Sequence, residues 1–435
     1  MGNPDNGLHT RQVAYEILVQ VLEKKLPLDQ TLSRHEDFNA LEGRERGLAR
    51  MIVATSLRRK HQMDRLIEKS QDKQQTLRPT TLYPLLYTGI AQLLFMDVAD
   101  HAAVDVTVRL AEKLQMHKQK GLVNALLRRI GREGKGWLEG MDEVQTCMTQ
   151  WLLESLIKDY GLKDAALIAE HSLKEASLDI TVKNNPESWA QKLEAKLLPT
   201  QSLRRDQGGD ITALEGFEDG EWWVQDASAA SPAKLLGSDL SGKTVIDLCA
   251  APGGKTAQLA SAGAQVIALD RSAKRLERLT ENMKRLKLED TVEVVVGDGG
   301  MWQPTEPADM VLLDAPCSAT GTMRRHPDVM HLKMENDVTR LADLQSRLLD
   351  NSAKMVKPGG VIIYCTCSLQ KEEGEAQIEK FLESHTEFKR STITADEVGG
   401  LTELVTADGD VRILPQYLAE QGGMDGFFIS RLIKV

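Results

Sequence analysis

The chain reads as a multidomain protein with three parts: an all-helical N-terminal bundle, an α+β connecting subdomain, and a C-terminal α/β domain on a parallel, doubly wound sheet. Three observations lead there. Apolar residues recur at helical spacing from Arg11 to about Ile130, in VAYEILVQVL, GLARMIVATSL, HAAVDVTVRLAEKL and GLVNALLRRI. Apolar runs of strand length alternate with helical segments from Thr244 onward. A chain of 435 residues also exceeds what one hydrophobic core usually supports, so two or three domains are expected.

The helical part is assigned to residues 1–135. GREGKG, Gly131 to Gly136, reads as a breaker and a domain edge. Two basic clusters, Arg58, Arg59 and Lys60, then Arg128, Arg129 and Arg132, fall near predicted helix ends, where cations complement the helix dipole. Residues 136–240 form the connecting subdomain, with short helices and possible strands such as LDITVK. Residues 241–435 carry five strand-length runs: TVIDLC, AQVIALD, TVEVVVGD, ADMVLLD and GGVIIYCT. Helical segments such as AKRLERLTENMKRLKL and VTRLADLQSRLLDNSAKMV lie between them. Strands that read as continuous apolar runs belong to a sheet covered on both faces. There is no internal repeat and no low-complexity tract.

Composition narrows the function classes. No stretch reaches the roughly 18 consecutive apolar residues of a membrane span. The most apolar segment, LYPLLYTGIAQLLF, is broken by Pro84, Thr88 and Gln92. MGNPDNGLHT lacks the charged start and apolar core of a secretion signal, so a soluble, cytoplasmic protein is expected. The five cysteines, Cys147, Cys249, Cys317, Cys365 and Cys367, are odd in number and scattered, which suits a reducing compartment better than a disulfide framework. The CxC pair has no second close Cys or His pair, so no metal site is expected. Net charge is −10, but residues 1–135 carry 22 Lys and Arg against 16 Asp and Glu, while the rest carries 32 against 48. A basic module joined to an acidic one fits site-limited contact with a polyanion; solvated helix faces account for the same charges.

In a doubly wound sheet, ligands bind beyond the carboxyl ends of the strands. The first run ends in DLCAAPGGKT, Asp247 to Thr256, where Gly253 and Gly254 let backbone approach a ligand at the mouth of the next helix. The second ends in Asp270, placed to accept hydrogen bonds from ribose hydroxyls. The third ends in Gly297-Asp298-Gly299 and the fourth in Asp314-Ala315-Pro316-Cys317. One acid there would be a solvated strand end; four in succession suit a nucleoside bearing hydroxyls and positive charge. APGGKT also resembles the phosphate loop of nucleotide triphosphatases, but the first glycine of that pattern falls on Cys249, which argues against it.

DLCAAPGGKT, LDAPCSATG and the later TCS resemble the motifs of the RNA cytosine-5 methyltransferases, which use S-adenosylmethionine. HAAVDVTVRLAEK with KGLVNALLRRI is similar to the NusB-like helical RNA-binding domain of the family's bacterial branch acting on 16S ribosomal RNA. LDAPCSATGTMRRHPD and the terminal DGFFISRLIK resemble that branch too. The resemblance covers nearly the whole chain. It implies a Rossmann-like class I methyltransferase domain, with cofactor contacts from Cys249, Ala250, Ala251, Pro252, Gly253, Gly254 and Lys255, from Asp270 to the ribose, from Asp298 to the adenine and from Asp314 near the methyl-bearing end. Arg275 is counted with these contacts. Lys183 to Asn185 departs from the family's Arg-x-Asn element by its lysine, which puts an RNA or domain-seam contact there in doubt.

Carbon 5 of cytosine is a poor nucleophile, and a thiolate adding to carbon 6 turns the ring into an enamine that can attack a methyl group. Cys317 follows the fourth strand and Cys367 ends the fifth, which puts both on one rim of the cleft. Chemistry alone does not choose between them; the resemblance implies Cys367 as nucleophile and Cys317 as the residue assisting breakdown and release. Asp314 is a candidate acceptor for the exocyclic amine of cytosine, with a purely electrostatic role as the alternative. Cys365 and Cys147 read as packed thiols, and Cys249 as a residue whose backbone matters. Arg324, Arg325 and His326 follow a Ser-Ala-Thr-Gly loop and are candidates for RNA phosphates; solvated loop charge is the alternative. The expected partner is 16S ribosomal RNA, with no DNA or membrane and a monomer by default. Other functions consistent with the sequence are a non-catalytic ribosome-assembly RNA binder that keeps the fold and a ribose 2'-hydroxyl methyltransferase.

Overall fold

The computed structural model describes residues 4–142, 146, 148–206 and 209–435. Cys147 lies outside them. The chain divides into two compact units, one comprising the residues up to Glu175 together with Met323–Lys333, the other Ala176–Thr322 with Met334–Val435.

The first unit is helical: α1 (Pro4–Leu22), α2 (Leu28–Arg34), α3 (Glu36–Ala40), α4 (Gly43–Arg58), α5 (Lys60–Ser70), α6 (Leu82–Ile90), α7 (Asp100–Lys113), α8 (Lys120–Glu139) and α9 (Gln150–Ser172). Its core is the apolar stripe read from the sequence, with Ile17, Leu18, Ile52, Leu57, Leu66, Leu85, Leu110 and Leu127 all fully buried. The segment LYPLLYTGIAQLLF forms α6 and a following π turn, Ala91–Phe95, inside this bundle. No described helix is long and apolar enough to cross a membrane.

Two expectations are corrected here. GREGKG is not a breaker, because α8 runs unbroken through it to Glu139. A Cβ on Gly134 would come within 2.9 Å of Leu94 Cδ1, so the glycine permits close helix packing, which offsets its propensity cost of about 1 kcal/mol. Arg128, Arg129 and Arg132 consequently sit within the helix rather than near its end. Arg129 donates to Ser70 O at 3.2 Å and to Asp72 Oδ1 at 2.9 Å.

Met323–Lys333 is the second surprise. Its Arg324, expected on a flexible loop for RNA phosphates, is only 2 % exposed. Leu28 N donates to Asp328 Oδ2 at 2.9 Å, Arg58 Nη2 donates to Arg324 O at 3.1 Å, and a His331 ring nitrogen lies 2.7 Å from Leu57 O. His326 faces Asp29 at 3.5 Å. Buried Met323, Val329 and Met330 carry the segment into the helical unit, so Arg324 lies buried there rather than meeting solvent.

The second unit opens with a small sheet of strand order β2-β3-β1-β4, made of β1 (Leu178–Val182), β2 (Lys196–Leu197), β3 (Leu203–Arg205) and β4 (Trp222–Val224), with α10 (Pro186–Lys192) between β1 and β2. Asp179 takes a bidentate pair from Arg204, Nε and Nη2 each at 2.7 Å, with both side chains fully buried. Arg204 also donates to Gly423 O at 2.6 Å, and Asp179 accepts from Ala227 N at 3.1 Å, which ties the small sheet to α11 (Ala227–Lys234) and the C-terminal region.

The large sheet comprises β5 (Thr244–Leu248), β6 (Gln265–Asp270), β7 (Val292–Val296), β8 (Ala308–Asp314), β9 (Val356–Thr366), β10 (Phe388–Arg390), β11 (Val411–Ile413) and β12 (Phe427–Lys434). Its order is β10-β12-β9-β8-β5-β6-β7, with β11 beside β12. The helices are α12 (Gly254–Ser261), α13 (Ala273–Arg285), α15 (Glu335–Met355) and α16 (Glu375–Ser384); α14 (Val329–Leu332) belongs to the first unit. The five expected strands are present and mutually parallel, a Rossmann-like arrangement. The sheet is nevertheless mixed: β12 pairs antiparallel with β9, Phe428 opposite Thr366, and covers an edge that would otherwise be open. Ile246, Leu248, Leu313, Ile362 and Tyr364 pack on one face against Leu348, Leu349, Ile378 and Phe381. On the other face Val245, Val266, Leu312, Ile363 and Cys365 pack with Ala227 and Leu259. Each such side chain removed from water contributes about 2 kcal/mol. That rigidity fixes the strand ends.

Candidate active site

β5 and β8 are neighbours in the sheet although the chain visits β6 and β7 between them, so the order reverses at this pair and a crevice opens beyond their carboxyl ends. The loop after β5 fills one side of it. Cys249 has φ 62° and Gly253 φ 102°, both left-handed. At Gly253 a side chain is also excluded sterically, since a Cβ would lie 2.9 Å from Leu279 Cγ. Ala250, Ala251 and Lys255 are nearly buried, and α12 starts at Gly254 with its free amide groups facing the loop.

The acids expected on this rim have distinct surroundings. Asp247 is fully buried, accepts from Thr256 Oγ1 at 2.6 Å, and has no partner at Oδ1. Burial, and then the charge of Asp314, push its carboxyl up to about 7 against the one hydrogen bond that lowers it. Asp270 is 2 % exposed and accepts from Ser272 N at 2.9 Å and Ala251 N at 3.3 Å. Arg275 Nη1 lies 3.2 Å from the Asp270 carboxylate, and its Nη2 donates to Ala251 O, so Arg275 bridges the two loops. Asp298 is exposed and accepts locally from Gly300 N at 2.9 Å.

Asp314 joins the two halves of the site. Its Oδ2 accepts from Lys255 Nζ at 2.7 Å, and its Oδ1 lies 3.6 Å from Cys365 Sγ. Lys255 sits 5.3 Å from the centre of the Phe427 ring. Burial works against the ammonium, but the carboxylate of Asp314 and further negative neighbours outweigh it and hold Lys255 firmly protonated.

β8 and β9 run parallel in direct pairing, Asp314 opposite Cys365, so their exits lie side by side. Ala315 N donates to Cys365 O and Gly321 N to Cys367 O, each at 2.9 Å. The two loops can approach this closely because residue 321 is glycine: a Cβ there would lie 2.8 Å from Cys367 O, and 2.1 Å from Gly426 O in the segment before β12. Cys317 Sγ and Cys367 Sγ end up 3.4 Å apart, both half-buried. The hydrogen bond with Cys367, then burial, hold the Cys317 thiol well above the ordinary range. Cys365 is fully buried among apolar neighbours, where burial likewise raises its thiol, and Cys249 is pushed up to about 12 by the same cause.

Lys183 donates to Leu286 O, so its side chain is engaged within this unit. Glu373 escaped the sequence reading. It lies fully buried behind both thiol loops, in a KEEGE run that resembles ordinary solvated acid. A left-handed glycine loop, a buried ribose-type acceptor and unpaired Asp247 Oδ1 suit a nucleoside with hydroxyls and a cationic centre, and the donor set fits S-adenosylmethionine.

Comparison with known proteins agrees. Residues 238–433 match the family model described as 16S rRNA methyltransferase RsmB/F, and residues 8–132 match the NusB family. Ribosomal RNA small subunit methyltransferase B of Cronobacter sakazakii is 33 % identical over 445 residues, covering 98 % of this chain and 99 % of that protein. Its Pseudomonas putida counterpart is 34 % identical over 448 residues, covering 98 % and 99 %. Among solved structures, PH0851 superposes with a TM-score of 0.76 at 23 % identity over all of both chains. NSun6 from Pyrococcus horikoshii, solved with SFG, gives 0.55 at 20 % identity over 66 % of this chain and 98 % of its own.

Proposed function

Since the chain belongs to the ribosomal RNA small subunit methyltransferase B family, we propose that it methylates carbon 5 of a cytosine in 16S ribosomal RNA, through a covalent adduct between Cys367 and carbon 6 of the ring. At the level of the family it is an S-adenosylmethionine-dependent ribosomal RNA methyltransferase. The observation that carries the finer reading is the 3.4 Å contact between Cys317 and Cys367, beside Asp314 on the strand-end rim. A ribose methyltransferase has no use for two adjacent thiols.

The Cys249–Lys255 loop, Asp270, Arg275, Asp298 and Asp314 would hold S-adenosylmethionine, which would supply the electrophilic methyl group. The Cys367 thiolate forms the S–C6 bond, and the ring electrons move to carbon 5 as an enamine. Cys317, kept protonated beside it, donates its S–H toward the Cys367 sulfur, a role suited to a thiol of raised pKa. Once carbon 5 is methylated its proton passes to solvent water, the C–H electron pair reforms the C5–C6 double bond, and the S–C6 pair leaves on sulfur, returning Cys367 as thiolate. Cys317 assists this breakdown. Asp314 accepts from the exocyclic amine of cytosine, which uracil lacks, while Lys255 fixes the carboxylate in place.

In the same proposal residues 1–135 bind RNA, residues 136–240 connect and residues 241–435 carry the transfer, in a cytoplasmic monomer that does not act on DNA. The test uses purified protein, tritium-methyl S-adenosylmethionine and 16S ribosomal RNA. Cys367→Ala is expected to abolish transfer and covalent trapping, and Cys317→Ala to leave a protein–RNA adduct on a denaturing gel. Adduct from Cys367→Ala and none from Cys317→Ala would reverse the assignment.

A further inference from the structure

Each thiol is followed in the chain by a serine, Ser318 after Cys317 and Ser368 after Cys367. Both hydroxyls donate to the same atom, Glu373 Oε2, Ser368 at 2.6 Å and Ser318 more closely still. Ser318 N donates to Glu373 Oε1 at 2.9 Å and lies 3.2 Å from Oε2. Gln345 Nε2, from α15, donates to Oε1 at 3.0 Å and to Pro316 O at 2.8 Å. The backbone of Glu373 is held as firmly: its carbonyl accepts from Tyr364 Oη at 2.8 Å and Thr366 Oγ1 at 3.2 Å, both on β9.

A fully buried carboxylate is costly to keep unless its lone pairs are filled. Ionised, it is an acceptor with about four such sites, and here it meets four donors from the two thiol loops and the helix that flanks them. A glutamine would turn an N–H group toward some of those donors. One side chain therefore fixes the residue next to each sulfur.

We propose that Glu373 is the positioning residue of the thiol pair: by accepting from Ser318 and Ser368 together, it holds the Cys317 and Cys367 loops in register and the two sulfurs in contact. Its catalytic consequence rests on the methyl-transfer reading above. Its charge also faces Cys317 and helps keep that thiol protonated, after the larger effects of Cys367 and burial. Glu373 touches neither substrate nor cofactor; it acts through the serines.

The geometry is measurable without any turnover. Dibromobimane alkylates two neighbouring thiols and fluoresces when both arms have reacted, and peptide mass spectrometry shows whether the bridged residues are 317 and 367. The parent should bridge them. Glu373→Gln, and the double variant Ser318→Ala/Ser368→Ala, should bridge at least about 10-fold more slowly, while iodoacetamide still labels each thiol and S-adenosylhomocysteine still binds. Loss of hydrogen bonds to a charged group predicts that Glu373→Gln lowers kcat on RNA by about 10- to 100-fold with KM little changed. Bridging at the parent rate in Glu373→Gln would overturn the proposal. Impaired bridging in a protein whose parent does not methylate RNA would sink the proposed function and leave the positioning role intact.

Discussion

Asp314→Asn removes one charge and leaves the shape of the site nearly unchanged, so its consequences can be worked from the contacts. The Lys255–Asp314 pair is 2.7 Å long. Lys255 is only 8 % exposed, whereas the Asp314 side chain is 34 % exposed. Breaking a fully buried pair costs about 3–5 kcal/mol because the remaining charge is stranded, and the open side of Asp314 reduces this to about 2 kcal/mol. Lys255→Met/Asp314→Asn strands no charge and should recover most of that loss. Urea unfolding of the parent, both single variants and the double variant closes the cycle. Activity should behave differently: if the carboxylate acts on the pyrimidine, single-turnover methyl transfer falls by about 100-fold or more in Asp314→Asn and does not return in the double variant. Near-normal turnover in Asp314→Asn would remove the residue from the catalytic set. Recovery of turnover along with stability would show that its role is to neutralise Lys255.

Three further outcomes follow from the same contacts. Gly321→Ala places a Cβ 2.1 Å from Gly426 O and 2.8 Å from Cys367 O, both backbone atoms that yield poorly; a loss of about 1–3 kcal/mol in urea unfolding and slower bridging of the thiols are expected, and an unchanged midpoint would contradict the close approach. Gly253→Ala meets both a left-handed φ and Leu279, so calorimetry should show weakened S-adenosylhomocysteine binding, and parent affinity would exclude the loop from the cofactor site. Burial raises the folded-state pKa of Asp247 from 3.8 to about 7, so its contribution to stability is complete below about pH 4 and is lost as pH rises through 7, by at most about 4 kcal/mol. Asp247→Asn should flatten stability between pH 4 and 8, and a variant that keeps the parent's slope would place the titration elsewhere.

The four inner parallel strands were legible because buried strands read as apolar runs, while β7, at the sheet edge, is partly exposed and carries Glu293; the acids that follow the strands mark their rim. The pairing of β8 with β9 was not spelled out by those runs. The closeness of Cys317 and Cys367 depends on that pairing and on Gly321, which permits a contact no local pattern announces. α8 deceived for the opposite reason: three glycines signal a break, and only Leu94, far away in the chain, shows that Gly134 is there to be packed against. Arg324 read as a candidate for RNA phosphates because the helical residues its segment packs with lie more than 200 residues earlier, as the bond from Arg58 to its carbonyl shows. β12 was not among the five runs read as strands, and its antiparallel insertion beside β9 is a property of the sheet edge it covers.

Glu373 marks where local reading stops. In a run of lysine, glutamates and glycine the default for any acid is solvent, and composition favours that default strongly. Four donors reverse it, and three of them come from serines whose own apparent purpose was to follow a cysteine. A buried carboxylate is tolerated only where several donors converge, so its presence implies that the donors had to be brought together. Here the groups it brings together are the neighbours of two sulfurs, which makes the separation of those sulfurs the property most exposed to its loss.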